Sequence, residues 1–248
     1  MADPESTTPP ASVPSDGNDN AAGAAWLMMS VVTAACMTIA VRWSSEELSS
    51  SLIVFLRSVG GLVLALTAFS VVRRLRGQMR FSAPLLHVWR GGLIGISTQL
   101  GFYTISQIPL ATATVLFFSA PIFAALIAIP LHGEKVGLRR GGAIATGFAG
   151  VLLVMRPGII PFDWAMLSAI ASSFLFALAL LSSRNLANRD GPFAAYLSSA
   201  VMTIIVSAPL ALPAWSLPAS SFGWFALGLV VVMSLARNIG DLQAYRLA

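Results

Sequence analysis

Apolar residues in this chain come in long uninterrupted blocks, not in the alternating pattern of a half-buried strand or the stripe of an amphipathic helix. Leu110 to Leu131 holds no charged residue, and neither does Ala143 to Met155. Six more blocks cover about 24–41, 51–72, 91–108, 164–183, 192–212 and 222–242. A block of about 20 apolar residues matches the roughly 30 Å hydrocarbon core of a bilayer. Inside lipid such a block must be helical, because nothing there pairs with a bare backbone N–H or C=O. The pattern predicts eight membrane-spanning helices and an all-α, polytopic helical bundle.

The stretches between the blocks set the orientation. The loops after the second, fourth and sixth helices carry five, three and two Lys or Arg, and the other loops carry none beyond the flanking Arg42 and Arg156. Basic loops stay in the cytoplasm. The even loops and the N-terminus are therefore expected there, in an integral membrane protein of a bacterial inner membrane. Residues 1–23 are rich in Pro, Ser, Thr, Asp, Asn and Gly, hold no Lys or Arg, and read as a disordered tail. A signal peptide would open on a basic segment.

Composition narrows the class. Of the 248 residues 56% are hydrophobic and 10% charged, against about 25% charged in soluble domains. The net charge of +5 sits at helix ends and not along one face, which argues against nucleic acid as a partner. Cys36 is the single cysteine, so no intrachain disulfide forms, and no His/Cys cluster has metal-ligand spacing. No cofactor is expected, and without a phosphate-binding Gly-Lys-Ser/Thr loop ATP does not drive the protein directly. His87 and His132 sit at loop edges and read as interfacial. An intramembrane enzyme would need a Ser–His or paired-Asp constellation at membrane depth. Asp241 is the only acid inside a predicted helix.

The stretch from Ser106 to Gly158 carries a specific order of features. Pro109-Leu110-Ala111 opens a helix with a central Pro121, then come Gly133-Glu134, Arg139-Arg140, Gly147 and Gly150 in a second helix, and a closing Arg156-Pro157-Gly158. This order resembles the EamA-type domain of the drug/metabolite transporter superfamily. Weak internal similarity points the same way. Trp26-Leu-Met-Met-Ser and Trp164-Ala-Met-Leu-Ser are 138 residues apart, and Phe55-Leu-Arg-Ser and Tyr196-Leu-Ser-Ser 141 apart. The expected division is a tail at 1–23, a first five-helix repeat at 24–158 and a partial second repeat at 159–248. An odd number of helices per copy makes the repeats inverted. The resemblance implies ten helices where eight are counted, so the second repeat is expected to be incomplete. It also implies a secondary transporter of a small metabolite such as an amino acid, a nucleoside-like compound or a drug, working by alternating access, with export favoured. Membrane lipid and a small-molecule substrate are the expected partners, a proton the candidate coupling ion, and a homodimer the candidate assembly. The competing reading is a non-transporting truncated remnant or a subunit of a membrane complex.

Several residues could carry the chemistry. Arg57 lies about 9 Å inside its helix at 1.5 Å per residue. A charge at mid-helix costs roughly 2.5–3.5 kcal/mol on insertion scales and rarely sits there without a partner. It either holds an anionic group of a substrate or snorkels to the outer interface. Arg237 and Asp241, four apart on one helix face, form with Asn238 a polar patch that is either a substrate or coupling site or a self-neutralised interfacial pair. Gln99 and Tyr103 face one way in the third helix, beside Thr98, as cavity wall or helix–helix contact. Pro121 clashes with the carbonyl of Phe117 and kinks its helix, with Ser119 close by; such breaks serve as midplane sites in transporters or as static bends. Gly142, Thr146 and Gly150, with Gly147 beside them, suggest close helix packing. Glu134, Arg139 and Arg140 read as a loop anchor.

Overall fold

The computed structural model describes the backbone of residues 17–71, 80–132, 138–155 and 163–247. The side chains of 17–21, 130–132, 138–140, 154–155, 184–185, 187–188, 192, 239 and 241–247 fall outside the description. The described residues form helices alone: α1 (Gly17–Ser44), α2 (Ser50–Val71), α3 (Pro84–Gln107), α4 (Leu110–Phe117), α5 (Ser119–His132), α6 (Leu138–Met155), α7 (Trp164–Asp190), α8 (Pro192–Ala211) and α9 (Ser221–Leu247). Six rods are long and apolar enough to cross a membrane: α1, α2, the α4–α5 pair, α7, α8 and α9. In α6 the apolar part is the shorter stretch Gly141–Leu153. In α3, Gly, Ser, Thr and Gln interrupt the apolar run, and that helix packs against α7 and α8.

The predicted fourth helix is two segments, α4 and α5, divided at Phe118. Pro121 has no N–H to give the carbonyl of Phe117, and its ring crowds that carbonyl, so the ladder breaks there. Buried Ser119 donates to the Leu116 carbonyl at 2.7 Å and satisfies an acceptor at the break.

Three boundaries differ from the sequence reading. Alanine-rich chain carries α1 back to Gly17, into the segment read as tail; residues 1–16 lie outside the description. The third helix begins at Pro84, not at 91, with Pro in the first turn, where a missing N–H costs nothing. His87 and Arg90 are thus helical. The sixth helix runs on to Asp190, so Arg184 and Arg189 are helical rather than loop residues. Its connector to α8 is Gly191 alone, at φ 87°, followed by Pro192. A side chain is strained in that left-handed region.

Long helices pair antiparallel. Near one end of the α1–α9 pair, Gly240 lies against Ser30 and the Trp26 carbonyl; near the other, Trp43 meets Phe222. In the α3–α7 pair, Ser97 and Ser172 each donate to the other's carbonyl at 2.8 Å, and Thr104 bonds Ser168 at 2.7 Å. Interhelical bonds of this kind average about 0.6 kcal/mol each in a membrane. In the α2–α8 pair, Ser51 bonds the Leu210 carbonyl and Phe69 stacks on Phe193. Helix α3 also runs beside α8, and the approach is closest at Gly91 and Gly95. A Cβ on Gly95 would lie 3.1 Å from the Thr203 Cα.

That crossing corrects the packing expected on α6. Among the described residues, Gly142 and Gly150 face open space, and exposed Thr146 bonds its own helix at Gly142. Gly147 alone makes the close contact, with Ile122 of α5. Small residues spaced by four mark a surface that permits close approach, but a partner helix must also be there. Here the partner of α6 meets the neighbouring position.

Candidate functional site

Arg57 stands where α1, α2, α3 and α9 meet. Its Nη1 donates to Ser234 Oγ of α9 at 3.1 Å and lies 4.0 Å from Met37 Sδ of α1. Its guanidinium carbon is 5.1 Å from the Phe102 ring centroid of α3, within cation–π range. Arg237 of α9 and Tyr196 of α8 are near enough to act on its charge. The Tyr196 hydroxyl comes up against α2 one turn from Arg57 because Gly61 has no side chain; a Cβ there would lie 2.6 Å from that oxygen. Arg57 Nε is buried and has no hydrogen-bond partner among the described residues. The same holds for Ser58 Oγ and for Gln99 Oε1, one turn of α3 before Phe102. Buried polar atoms are paired in the great majority of native structures. A buried donor and a buried acceptor without partners among the described residues make this the candidate site.

Of the other sequence candidates, half-buried Asn238 donates to the Ser234 carbonyl at 2.6 Å, which joins it to the Arg57 group from the α9 side. Half-buried Thr98 adjoins Gln99. Tyr103 is exposed and does not share the burial of the Gln99 oxygen. Ser119 is used up at the α4–α5 break, and Pro121 is exposed. Glu134 lies outside the described residues; Arg139, Arg140 and Asp241 lie on α6 and α9 with their side chains outside the description. Ser234, Phe102, Met37 and Tyr196 were missed, because serine, aromatic and methionine residues in apolar helices carry no mark of their own. The nearest signal was the three-residue spacing of Ser234 and Arg237.

A second polar group lies at the other end of the bundle, and it overturns the interfacial reading of His87. That side chain is buried, with Nε2 2.9 Å from Asp190 Oδ2 and Nδ1 2.8 Å from Ser198 Oγ. The Ser82 hydroxyl and amide also donate to Asp190. These bonds, that from the Ser82 hydroxyl first, hold the Asp190 carboxyl down at about 2. Arg90 donates to Ser183 Oγ, Ser199 Oγ and the Ala195 carbonyl at 2.7, 2.8 and 3.0 Å, tying α3 to α7 and α8. At the opposite end Arg42 Nη1 donates to the Ile105 and Ser106 carbonyls in the last turns of α3. There Glu47 accepts from the Ser220 hydroxyl and from the Ala219 and Ser220 amides, and the Ser220 hydroxyl above all lowers its carboxyl pKa.

Apolar spanning helices packed around a polar junction define a polytopic membrane protein. Residues 21–156 match the model of the EamA-like transporter family, and the chain belongs to that family, within the drug/metabolite transporter superfamily. The chain is 26% identical over 211 residues to an S-adenosylmethionine uptake transporter of Rickettsia prowazekii, covering 85% of this chain and 70% of that one. It is 24% identical to a riboflavin transporter of Vibrio cholerae over 91% of this chain and 76% of that one. It is 26% identical to a pseudopaline exporter of Pseudomonas aeruginosa over 86% and 74%. A protein crystal structure aligns with a TM-score of 0.64 over 91% of this chain and 80% of that chain, at 19% identity, and so shares the fold. The protein is a small-molecule membrane transporter and not an enzyme.

Proposed function

We propose that the protein is a secondary transporter of a bacterial inner membrane that binds a small metabolite with an anionic group at Arg57. The observation that carries this is the half-buried Arg57 at the junction of four helices, with Nε unpaired among the described residues and an aromatic face beneath the guanidinium. Phe102 and Tyr196 line the same region, and the unpaired Gln99 oxygen suits a donor on the substrate. Snorkelling is the weaker reading, since Arg57 spends a donor on Ser234 and rests on Phe102. Among the relatives are one named for uptake and one named for export. The direction of a carrier follows the gradients of substrate and coupling ion, and a proton is the ion proposed.

The helix pairing supports two inverted repeats, α1 to α6 and α7 onward. Exchanging the members α1 with α7, α2 with α8, and α3 with α9 turns the α1–α9 pair into the α7–α3 pair and leaves α2–α8 unchanged; all three pairs are present. Alternating access between such halves is the proposed mechanism. The test is counterflow in proteoliposomes with a panel of labelled small metabolites, carboxylate-bearing compounds such as S-adenosylmethionine beside neutral riboflavin as the contrast. Arg57→Ala should reduce saturable flux at least tenfold at equal abundance, and Arg57→Lys should retain part of it. Wild-type flux in Arg57→Ala would remove Arg57 from the site.

A further inference from the structure

Glu47 and Asp190 make the same contact at opposite ends of the molecule. Glu47 lies in the turn between α1 and α2 and accepts from the Ser220 hydroxyl and amide, immediately before α9. Asp190 lies at the junction of α7 and α8 and accepts from the Ser82 hydroxyl and amide, immediately before α3. The two serines are 138 residues apart, the same offset as Trp26 and Trp164. In each case a carboxylate following the first helix of one half holds the start of the third helix of the other half. A carboxylate suits that place, because a helix start presents unpaired N–H groups and partial positive charge. At the Glu47 end the fit is tight: a Cβ on Gly223 would lie 2.5 Å from Glu47 Oε2.

We propose that these two contacts are the latches of the two gates, Glu47–Ser220 on one face of the membrane and Asp190–Ser82 on the other, broken in alternation as the site opens to each side. This rests on the alternating-access reading above. Each latch joins the two halves at one end only, so releasing it removes a cross-half tie at that end while the other latch still holds. The latches differ in strength. Asp190 is buried and shares its carboxylate with His87, whereas Glu47 is exposed and meets competition from water and salt. The Glu47 face is therefore the one that opens more readily.

The reporter is Ser234→Cys, beside Arg57, in a Cys36→Ser background. It is labelled with a membrane-impermeant maleimide in right-side-out and in inside-out vesicles. Glu47→Gln should raise labelling several-fold from the Glu47 face and lower it from the Asp190 face. Asp190→Asn should do the reverse. Ser220→Ala and Ser82→Ala, which leave both carboxylates in place, should give the same pattern at smaller amplitude, as should Gly223→Ala at the Glu47 end. Labelling that stays unchanged, or that rises from both faces with any one variant, overturns the latches, since the latter is a general loosening of the bundle. The labelling needs no substrate. Opposed labelling without flux by the wild-type protein would defeat the transport reading alone, and normal flux with unopposed labelling would defeat the latches alone.

Discussion

Arg57 is the single charged residue of helix α2. Mid-membrane arginine costs roughly 2.5–3.5 kcal/mol on insertion scales, and here Ser234, the Phe102 face and the Met37 sulfur offset part of that. The ring contributes about 0.5–2 kcal/mol as a cation–π partner. Phe102→Leu should therefore weaken apparent substrate affinity several-fold in the flux assay, while Phe102→Tyr stays near wild type. Asp190 allows a prediction with a definite sign. Its carboxyl lies at about 2 in the folded protein against an ordinary 3.8, so its bonds stabilise the fold fully above about 4 and lose that effect as pH falls toward 2. Thermal melting in detergent should show wild type losing more stability than Asp190→Asn between pH 5 and 2.5; equal losses would show that Asp190 contributes nothing in that window. Arg57 was legible in the sequence because a lone charge in an apolar run stands out. His87 was not, because its partners Asp190 and Ser198 lie 103 and 111 residues away, and a histidine beside arginines looks like any interfacial residue.

At the scale of elements, the apolar blocks located the helices well and their ends poorly. Polar side chains at the start of α3 and the end of α7 looked like loop because nothing local reveals that they pair across helices. Arg90, bonded to Ser183 and Ser199, is the clearest instance. The break at Phe118 was legible, since proline chemistry is local. The small-residue stripe on α6 was legible but misassigned, because spacing shows where a helix can be approached and not whether a partner does so. Two substitutions separate the cases. Gly95→Leu should abolish monodisperse folded protein, since even a Cβ there would sit 3.1 Å from backbone on α8, whereas Gly142→Leu should be tolerated. Gel filtration after detergent extraction reads both. Gly191→Ala should lower the melting temperature, because the single-residue connector holds φ at 87°.

Across the whole molecule, the paired helices α1–α9, α3–α7 and α2–α8 join the two proposed halves, and Arg57 stands among them. From the positive-inside pattern we propose that the Asp190 end faces the cytoplasm. Ser216→Cys, an exposed position at the opposite end, should then be labelled from outside intact cells in a Cys36→Ser background; labelling only after the membrane is broken would reverse the orientation. The central claim is that a small metabolite with an anionic group binds at Arg57, and its most direct test is thermal stabilisation of the purified protein by a metabolite that the flux panel identifies. Binding to the folded state at one hundred times Kd stabilises by about 2.7 kcal/mol. Wild type should show that rise in melting temperature, and Arg57→Ala, melting at a similar temperature without ligand, should show little or none. Equal stabilisation of Arg57→Ala and wild type would place the binding site elsewhere.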